Sequence, residues 1–514
     1  MFARVYSGAL AGVDAYRVEV EVDCCGGIGQ INIVGLPGAA VKESQERVRS
    51  AIKSCDFLLP PAKKWVVNLA PADTRKEGPL YDMPIAAGLL ASVGYIPAGH
   101  LAKIWMVGEL SLNGAVRPVS GVLSMTICAR ESGAEGIIVP EDNGAEAALV
   151  DGIKVYPVSH LQEAINILVR PESGKVFYGT TKHRYKTMAS NVVSDLDFGD
   201  VKGQGKAKTA MTMAAAGRHN MIMIGPPGSG KSMLAERLPG IMPPLEYEEA
   251  VELTKLYSVA KEVDKKNGLV VSRPFRAPHH SASIHGLVGG GSVPRPGEIS
   301  LSHYGILFMD EFTEFPRTHI DSLRQPLETN RVTISRSMQT LTFPASFVLI
   351  AACNPCPCGF KNDTVQSCIC TSGQAMRYWS KVSGPILDRI DMRVEVRRLA
   401  QNEILIQPAP HDRTKWMKEK VFAAIARQRE RNIFDGKFIY NANLKHRQIE
   451  KVCQLTADVK SKLVSAAHQY AFSVRAYDRV IRMARTVADL NGNENIELDD
   501  LAQALSFRTL NFGF

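Results

Sequence analysis

No run of the 514-residue sequence approaches the ~18 consecutive apolar residues that a membrane-spanning helix needs. The N-terminus, MFARVYSGALAGVDAYRVEVEV, turns strand-like and charged too early for a secretory signal. Internal repeats and low-complexity segments are also missing, which excludes a solenoid or a disordered tract as the organising theme. Neither sign of charge dominates. The 61 basic and 52 acidic side chains leave a net +9, which permits a polyanionic partner without requiring one. Apolar content of 45% and charge of 22% are ordinary, so the expectation is a cytoplasmic protein of two to four domains with real cores.

Ten cysteines with no secretory signal do not read as a disulfide framework. Five of them, Cys353, Cys356, Cys358, Cys368 and Cys370, crowd into one short stretch, which marks local chemistry. Cys353 ends an unbroken apolar run and reads as a buried strand residue. The other four form two close pairs and could supply a tetrahedral Zn²⁺. Free thiols in a reducing compartment are the alternative, because the C-x-C spacing departs from the usual zinc pattern.

Residues 1–170 mix short strands (YRVEVEV, INIVGL, KWVVNLAP, GIIVP) with helical patterns (AAVKESQERVRSAIKSC, MPIAAGLLASVG), an α/β or α+β domain. Residues 171–195 are polar, basic and poor in periodic apolar positions, and read as a linker whose Lys182, Arg184 and Lys186 could touch a partner. From 196 to 395, strands and helices alternate around Gly- and Pro-rich loops, which predicts a mostly parallel sheet. Residues 396–514 are largely helical. Within them SVRAYDRVIRMARTVADL places Val474, Tyr477, Ile481, Ala484 and Ala488 on one side of a helix.

The chemistry of the middle domain is written in MIMIGPPGSGKSMLAERL. A buried strand, Met221 to Ile224, runs into Gly225, Pro226, Pro227, Gly228, Ser229, Gly230, Lys231 and Ser232, and then into an amphipathic helix. The glycines let backbone N–H groups turn inward around phosphate oxygens, and the helix N-terminus adds donors of its own. Lys231 can reach β- and γ-phosphates, and the Ser232 hydroxyl can ligate Mg²⁺. Further on, GILFMDEF carries Asp310 and Glu311 to the end of a second apolar strand. Asp310 suits a Mg²⁺ shell and Glu311 suits the polarisation of an attacking water. A third apolar strand, Val348 to Cys353, ends in Asn354. Its amide could orient water beside a γ-phosphate; it could also be a turn residue before Pro355.

GPPGSGKS, RPFRAPHHSAS, LVGGGSVPRPGEISLSHYGILFMDEF, RQPLETNRVTISRS, ACNPCPCG and SGPILDRID together resemble the ComM/YifB group of magnesium-chelatase-like AAA+ ATPases, through nearly the whole chain. The resemblance implies an ATP- and Mg²⁺-dependent hexameric ring motor that moves branched DNA during recombination or natural transformation. It implies that Asn354 is sensor 1, Arg389 the arginine finger offered to a neighbouring subunit's ATP, and Arg475 sensor 2. Arg479 and Arg482 share that helical face, and the choice of Arg475 over Arg479 rests on the resemblance; a solvated basic face is the plain alternative for Arg482. Two elements resemble DNA-handling loops: a hairpin before the sensor strand with Arg336 near its turn and Arg331 at its start, and an insert with Arg295 near its tip. Such residues would track phosphates without reading bases. The histidines His279 and His280 carry no assigned role.

The N-terminal domain resembles the Lon protease fold with its catalytic pair missing. Tyr81 or Asp82 stands where the nucleophilic serine would be, and Leu123 lies about where the lysine would be, so a peptidase is not expected. A chelatase-type motor remodelling a protein partner is the second functional reading, although the chain has no D-x-S-x-S motif of its own.

Overall fold

The structure, a computed structural model, describes residues 2–27, 29–177, 182–190, 196–291, 294–335, 340–363, 365–399 and 413–509. At the N-terminus, β1 (Phe2–Ala11) and β2 (Asp14–Gly26) form a long antiparallel pair. Val18, Val20 and Val22 are fully buried on one face, as strict alternation along a half-covered strand requires. β3 (Gln30–Val34), α1 (Ala39–Ser54) and β4 (Lys63–Ala70) complete a sheet of order β1-β2-β4-β3, in which only the β3–β4 pair is parallel. The apolar helix α2 (Asp82–Ser92) is buried along its whole length against β1 and β2. Next come β5 (Ile104–Met106), α3 (Val122–Glu131), β6 (Gly136–Pro140) and β7 (Lys154–Val158). Their three strands form a parallel sheet in chain order.

Inside the segment 171–195 lies a helix, Lys182–Ser190. Its Tyr185 is buried, donates its hydroxyl to the Leu245 carbonyl, and packs edge-on against Tyr247 with ring centroids 5.6 Å apart. One aromatic anchors this stretch to the following domain, which apolar periodicity could not reveal.

The middle domain runs through α4 (Gly205–Gly217), β8 (Met221–Ile224), α5 (Lys231–Arg237), α6 (Tyr247–Ala260), β9 (Phe275–Arg276), β10 (Ile306–Met309), β11 (Val348–Cys353), α7 (Ser372–Trp379) and β12 (Met392–Glu395). The five strands pair in the order β9-β10-β11-β8-β12, all parallel. Every residue of β8, β10 and β11 is buried, because helices cover both faces of a parallel sheet. Ile224 pairs with Cys353 and Met309 with Ala351, so Gly225, Asp310 and Asn354 leave three adjacent strands at the same edge. Ligands bind at that carboxyl edge in open α/β sheets.

C-terminal to the sheet lie α8 (Arg413–Arg431), a helix at Ala457–Gln469, α9 (Val474–Asn491) and α10 (Leu498–Arg508). On α9 the expected stripe is buried at Ile481, Ala484 and Ala488 and half-buried at Tyr477, and the buried face extends beyond it to Ala476, Val480, Met483 and Val487. Val474 is 75% exposed because the first turn of α9 stands clear of the packing.

The N-terminal domain rests on α6. The Gly121 N–H donates to the Ser258 carbonyl at 3.2 Å, and the pairs Lys255–Asp14 (3.2 Å) and Lys265–Asp142 (2.7 Å) flank the joint. Glu146 is buried beside Ser258, with one carboxylate oxygen accepting from Asn143 at 2.6 Å and the other unpaired. Burial pushes its pKa up to about 7.

Candidate functional site

At the end of β8 the backbone turns through Gly228 (φ +74°) and Gly230 (φ +90°), both in the left-handed region open to glycine. A Cβ at either would meet no atom within 4 Å, so the loop lines open space. Lys231 is buried, and its ammonium donates to the Gly225 and Pro226 carbonyls at 2.8 and 2.9 Å, with the Asn354 amide oxygen at 3.4 Å. The Ser229 hydroxyl is buried without a partner. A cradle of glycines, an unpaired buried hydroxyl and an amine resting on loop carbonyls fit phosphate oxygens. Desolvation holds the Lys231 pKa below the ordinary lysine value, opposed by Asp310 and Glu311. Gln204, which the sequence reading passed over, braces the loop from behind by donating to the Ser229 and Arg397 carbonyls.

Asp310 accepts from the Ser232 hydroxyl at 2.7 Å. These two hard oxygen donors would hold Mg²⁺, which when bound would neutralise phosphate charge. Glu311 adopts a left-handed backbone (φ +49°), and its exposed carboxylate lies 3.1 Å from His280 Nδ1. His280 in turn stacks on His279, with centroids 4.1 Å apart. The histidine pair therefore touches the acid assigned to water activation. The available signal was their position just after β9, the strand beside β10. Asn354, beyond β11, stands next to Lys231.

Arg389 lies elsewhere. Its backbone carbonyl accepts from Asn220, which precedes β8, whereas the phosphate loop follows β8. Four strand residues, about 13 Å at ~3.3 Å each, separate the two edges. The Arg389 guanidinium pairs with Glu328 and donates to the Pro385 carbonyl at 2.7 Å. Arg475, 69% exposed, reaches the same Glu328 at 3.3 Å. Arg479 is differently employed: it is locked on buried Asp391 at 2.5 Å. Burial opposes ionisation of Asp391, yet Arg479 and His219 hold its carboxyl well below the usual carboxylate range. Arg482 is half-buried and donates to the Ala442 carbonyl, so the solvated-face alternative does not describe it. Glu328 went unnoticed in the sequence because the residues it joins are remote from it in the chain. A cavity of about 360 Å³ opens here, lined by Arg218, Glu328, Asp388, Arg389, Arg475 and Arg479 among others.

Of the DNA-contact candidates, Arg336 lies outside the described residues. Arg331 pairs with Pro344 at the base of the hairpin Arg331–Ser335/Thr340–Pro344, so it is not a tip residue. Arg295 is exposed and pairs with Gly290 in the short insert hairpin.

In the N-terminal domain Asp82 is fully buried and bridged twice by Arg47, Nε at 2.7 Å and Nη2 at 3.0 Å, and it also accepts from the Leu110 N–H. Leu123 is fully buried in the core, as is the Tyr81 ring.

Cys353 is buried in β11, as read from the sequence. Cys356, Cys358, Cys368 and Cys370 converge, their sulfurs all within 4.8 Å of one another. The measured separations are 3.4 Å for Cys356–Cys358 and 3.6 Å for both Cys356–Cys368 and Cys358–Cys368. The cluster can hold a metal ion. No helix among the described residues is long and apolar enough to cross a membrane.

Family models agree with this layout. "Magnesium chelatase, subunit ChlI" matches residues 197–404, "Subunit ChlI of Mg-chelatase" residues 20–143, and "Magnesium chelatase, subunit ChlI C-terminal" residues 411–508. The competence protein ComM of Haemophilus influenzae is 42% identical over 99% of this chain and 97% of its own length. YifB of Salmonella typhimurium is 41% identical over 99% and 97%. Lon protease 2 of Bacillus subtilis is 30% identical over 172 residues, 30% of each chain, which agrees with a Lon-like N-terminal region. With a phosphate loop, an acidic strand end and a five-stranded parallel sheet in one domain, the chain belongs to the ComM/YifB family of magnesium-chelatase-like AAA+ ATPases.

Proposed function

We propose that the protein is a cytoplasmic, ATP-hydrolysing ring motor on single-stranded or branched DNA, acting as a branch-migration helicase in recombination or natural transformation. The observation that carries this reading is the placement of Arg389 and Arg475 at the opposite edge of the sheet from Lys231. Arg389 does not reach the phosphate loop of its own chain, which supports a role in completing the site of another copy, and a repeated head-to-tail contact of that kind forms a ring where its rotation closes. Six subunits is the number the family resemblance implies.

Within one site Lys231 and the loop N–H groups bind phosphates, Ser232 and Asp310 hold Mg²⁺, Glu311 takes the proton of the attacking water, and Asn354 orients that water. Arg389 and Arg475 from the neighbour stabilise the charge of phosphoryl transfer. Arg295 and Arg336, with Arg331 in a lesser role, are the proposed grips on DNA phosphates. Zn²⁺ fills the four-cysteine site as a structural ion. The N-terminal domain is a scaffold and no peptidase, because Asp82 is tied to Arg47 and Leu123 offers no base.

The deciding experiment is ATPase activity with and without forked or four-way DNA. Stimulation by DNA supports the motor. Stimulation only by a protein partner supports instead a chelatase-type motor that remodels that partner.

A further inference from the structure

The loop that carries the four cysteines also leans on the phosphate loop. Residues 356–370 contain no helix or strand among the described residues, so the backbone is held by local turns and not by a ladder. Its start and middle are fixed: Trp379 Nε1 donates to the Pro355 carbonyl at 3.0 Å, and Arg398 pairs with the buried Asp363 side chain at 3.4 Å. Between these, Gly359 presses on Pro227 of the phosphate loop. A Cβ at Gly359 would stand 2.7 Å from the proline Cδ. The Gly359 N–H donates to the carbonyl of Cys356 at 2.9 Å, so the residue touching Pro227 is bonded directly to a cluster cysteine.

Three of the six sulfur separations, 3.4 to 3.6 Å, are close to those of a metal–thiolate tetrahedron, and all four sulfurs lie within 4.8 Å of one another. Four sulfurs about 2.3 Å from Zn²⁺ lie about 3.8 Å apart. Four thiolates leave no open position for substrate, and soft ligands select Zn²⁺ over Mg²⁺. Cys356 is fully buried, whereas Cys368 is exposed. The ion would thus pin an outer strand of the loop to an inner one that touches the nucleotide site.

We propose that Zn²⁺ in the Cys356–Cys358–Cys368–Cys370 site sets the affinity for ATP, by stiffening the loop through which Gly359 backs Pro227. This rests on the zinc assignment above. Metal binding and local folding are one equilibrium in such loops, so loss of the ion releases the backing and the phosphate loop gains conformations that must be lost again when ATP binds.

The test uses the full-length protein purified without chelator. Zinc is measured, and the affinity for a fluorescent ATP analogue is measured in Mg²⁺ buffer. Both are repeated after a zinc-selective chelator and after return of Zn²⁺ alone. About one zinc per chain is expected. Its removal should weaken nucleotide binding by about tenfold, the cost of ordering roughly one further residue's backbone, and its return should restore it. Gly359→Ala keeps all four cysteines; it should retain zinc yet bind the analogue more weakly, because its methyl would meet Pro227 Cδ at 2.7 Å and the left-handed backbone (φ +86°) disfavours a side chain. Protein with active ATPase and no zinc would overturn the metal assignment and this inference with it. One zinc per chain whose removal leaves affinity unchanged would overturn the coupling while leaving the metal site standing. Unchanged affinity in Gly359→Ala would overturn the Pro227 contact.

Discussion

Glu311 shows how much one residue's surroundings decide. Its carboxylate is exposed, its backbone is left-handed, and its one close partner is His280. Glu311→Gln keeps the shape and loses the basic oxygen. The variant should bind ATP normally and hydrolyse it more slowly by about 10²–10⁴. Single-turnover hydrolysis checks this; a rate within a few-fold of the parent would remove Glu311 from the role. Lys231, Ser232, Asp310 and Asn354 were legible in the sequence because motif spacing ties each to a strand end. His280 and Glu328 were not, because their partners are distant in sequence and only the strand order brings them close.

At the scale of elements, the buried strands read cleanly: β8, β10 and β11 are continuous apolar runs, and nothing but a covered sheet accommodates three of them. The face of α9 read only in part, because apolar periodicity found Ile481, Ala484 and Ala488 but not the polar network of Arg485, Asp489 and Arg431 that the same helix buries. The start of α2 makes a similar point. The resemblance puts Tyr81 or Asp82 where a nucleophile would stand, and Asp82 is a fully buried carboxylate whose charge is met by Arg47. Arg47→Ala would strand that charge in the core. Breaking a buried pair costs about 3–5 kcal/mol, and the N-terminal domain should lose stability at the upper end of single substitutions. Chemical denaturation followed by the emission of Trp65 and Trp105, both buried in that domain, measures it. A shift below ~1 kcal/mol would mean that solvent already screens the pair.

At the scale of the molecule, the joint between the N-terminal domain and α6 carries a titratable group with no cation facing it. Glu146 sees only Asn143 and Ser258, and burial raises its pKa from 4.5 to about 7. In that window the docked state holds a proton that the undocked or unfolded chain has released. Stability of the joint is therefore full below about pH 4.5 and declines as pH rises toward 7, by at most about 3 kcal/mol. Protection factors of amides in α3 and α6, after correction for base-catalysed intrinsic exchange, should be lower at pH 8 than at pH 5.5, and Glu146→Gln should flatten the difference. Equal pH dependence in the variant would assign the effect to another group.

The separation of Arg389 from Lys231 across β8 predicts complementation between defective chains. Arg389→Ala alone should lose about 10³–10⁵ in rate, as should a uniform ring of Glu311→Gln by its own measure. Mixed rings regain sites in which the Glu311 of one chain meets the Arg389 of the next, so activity should return on mixing. Proven co-assembly without recovery would show that Arg389 does not act on a neighbour. A chain bearing both substitutions has the opposite effect, because it spoils the site it carries and the site it serves. Under random assembly the share of working sites then falls as the square of the intact fraction. In a cell expressing both versions, such an allele would behave as dominant over the normal one.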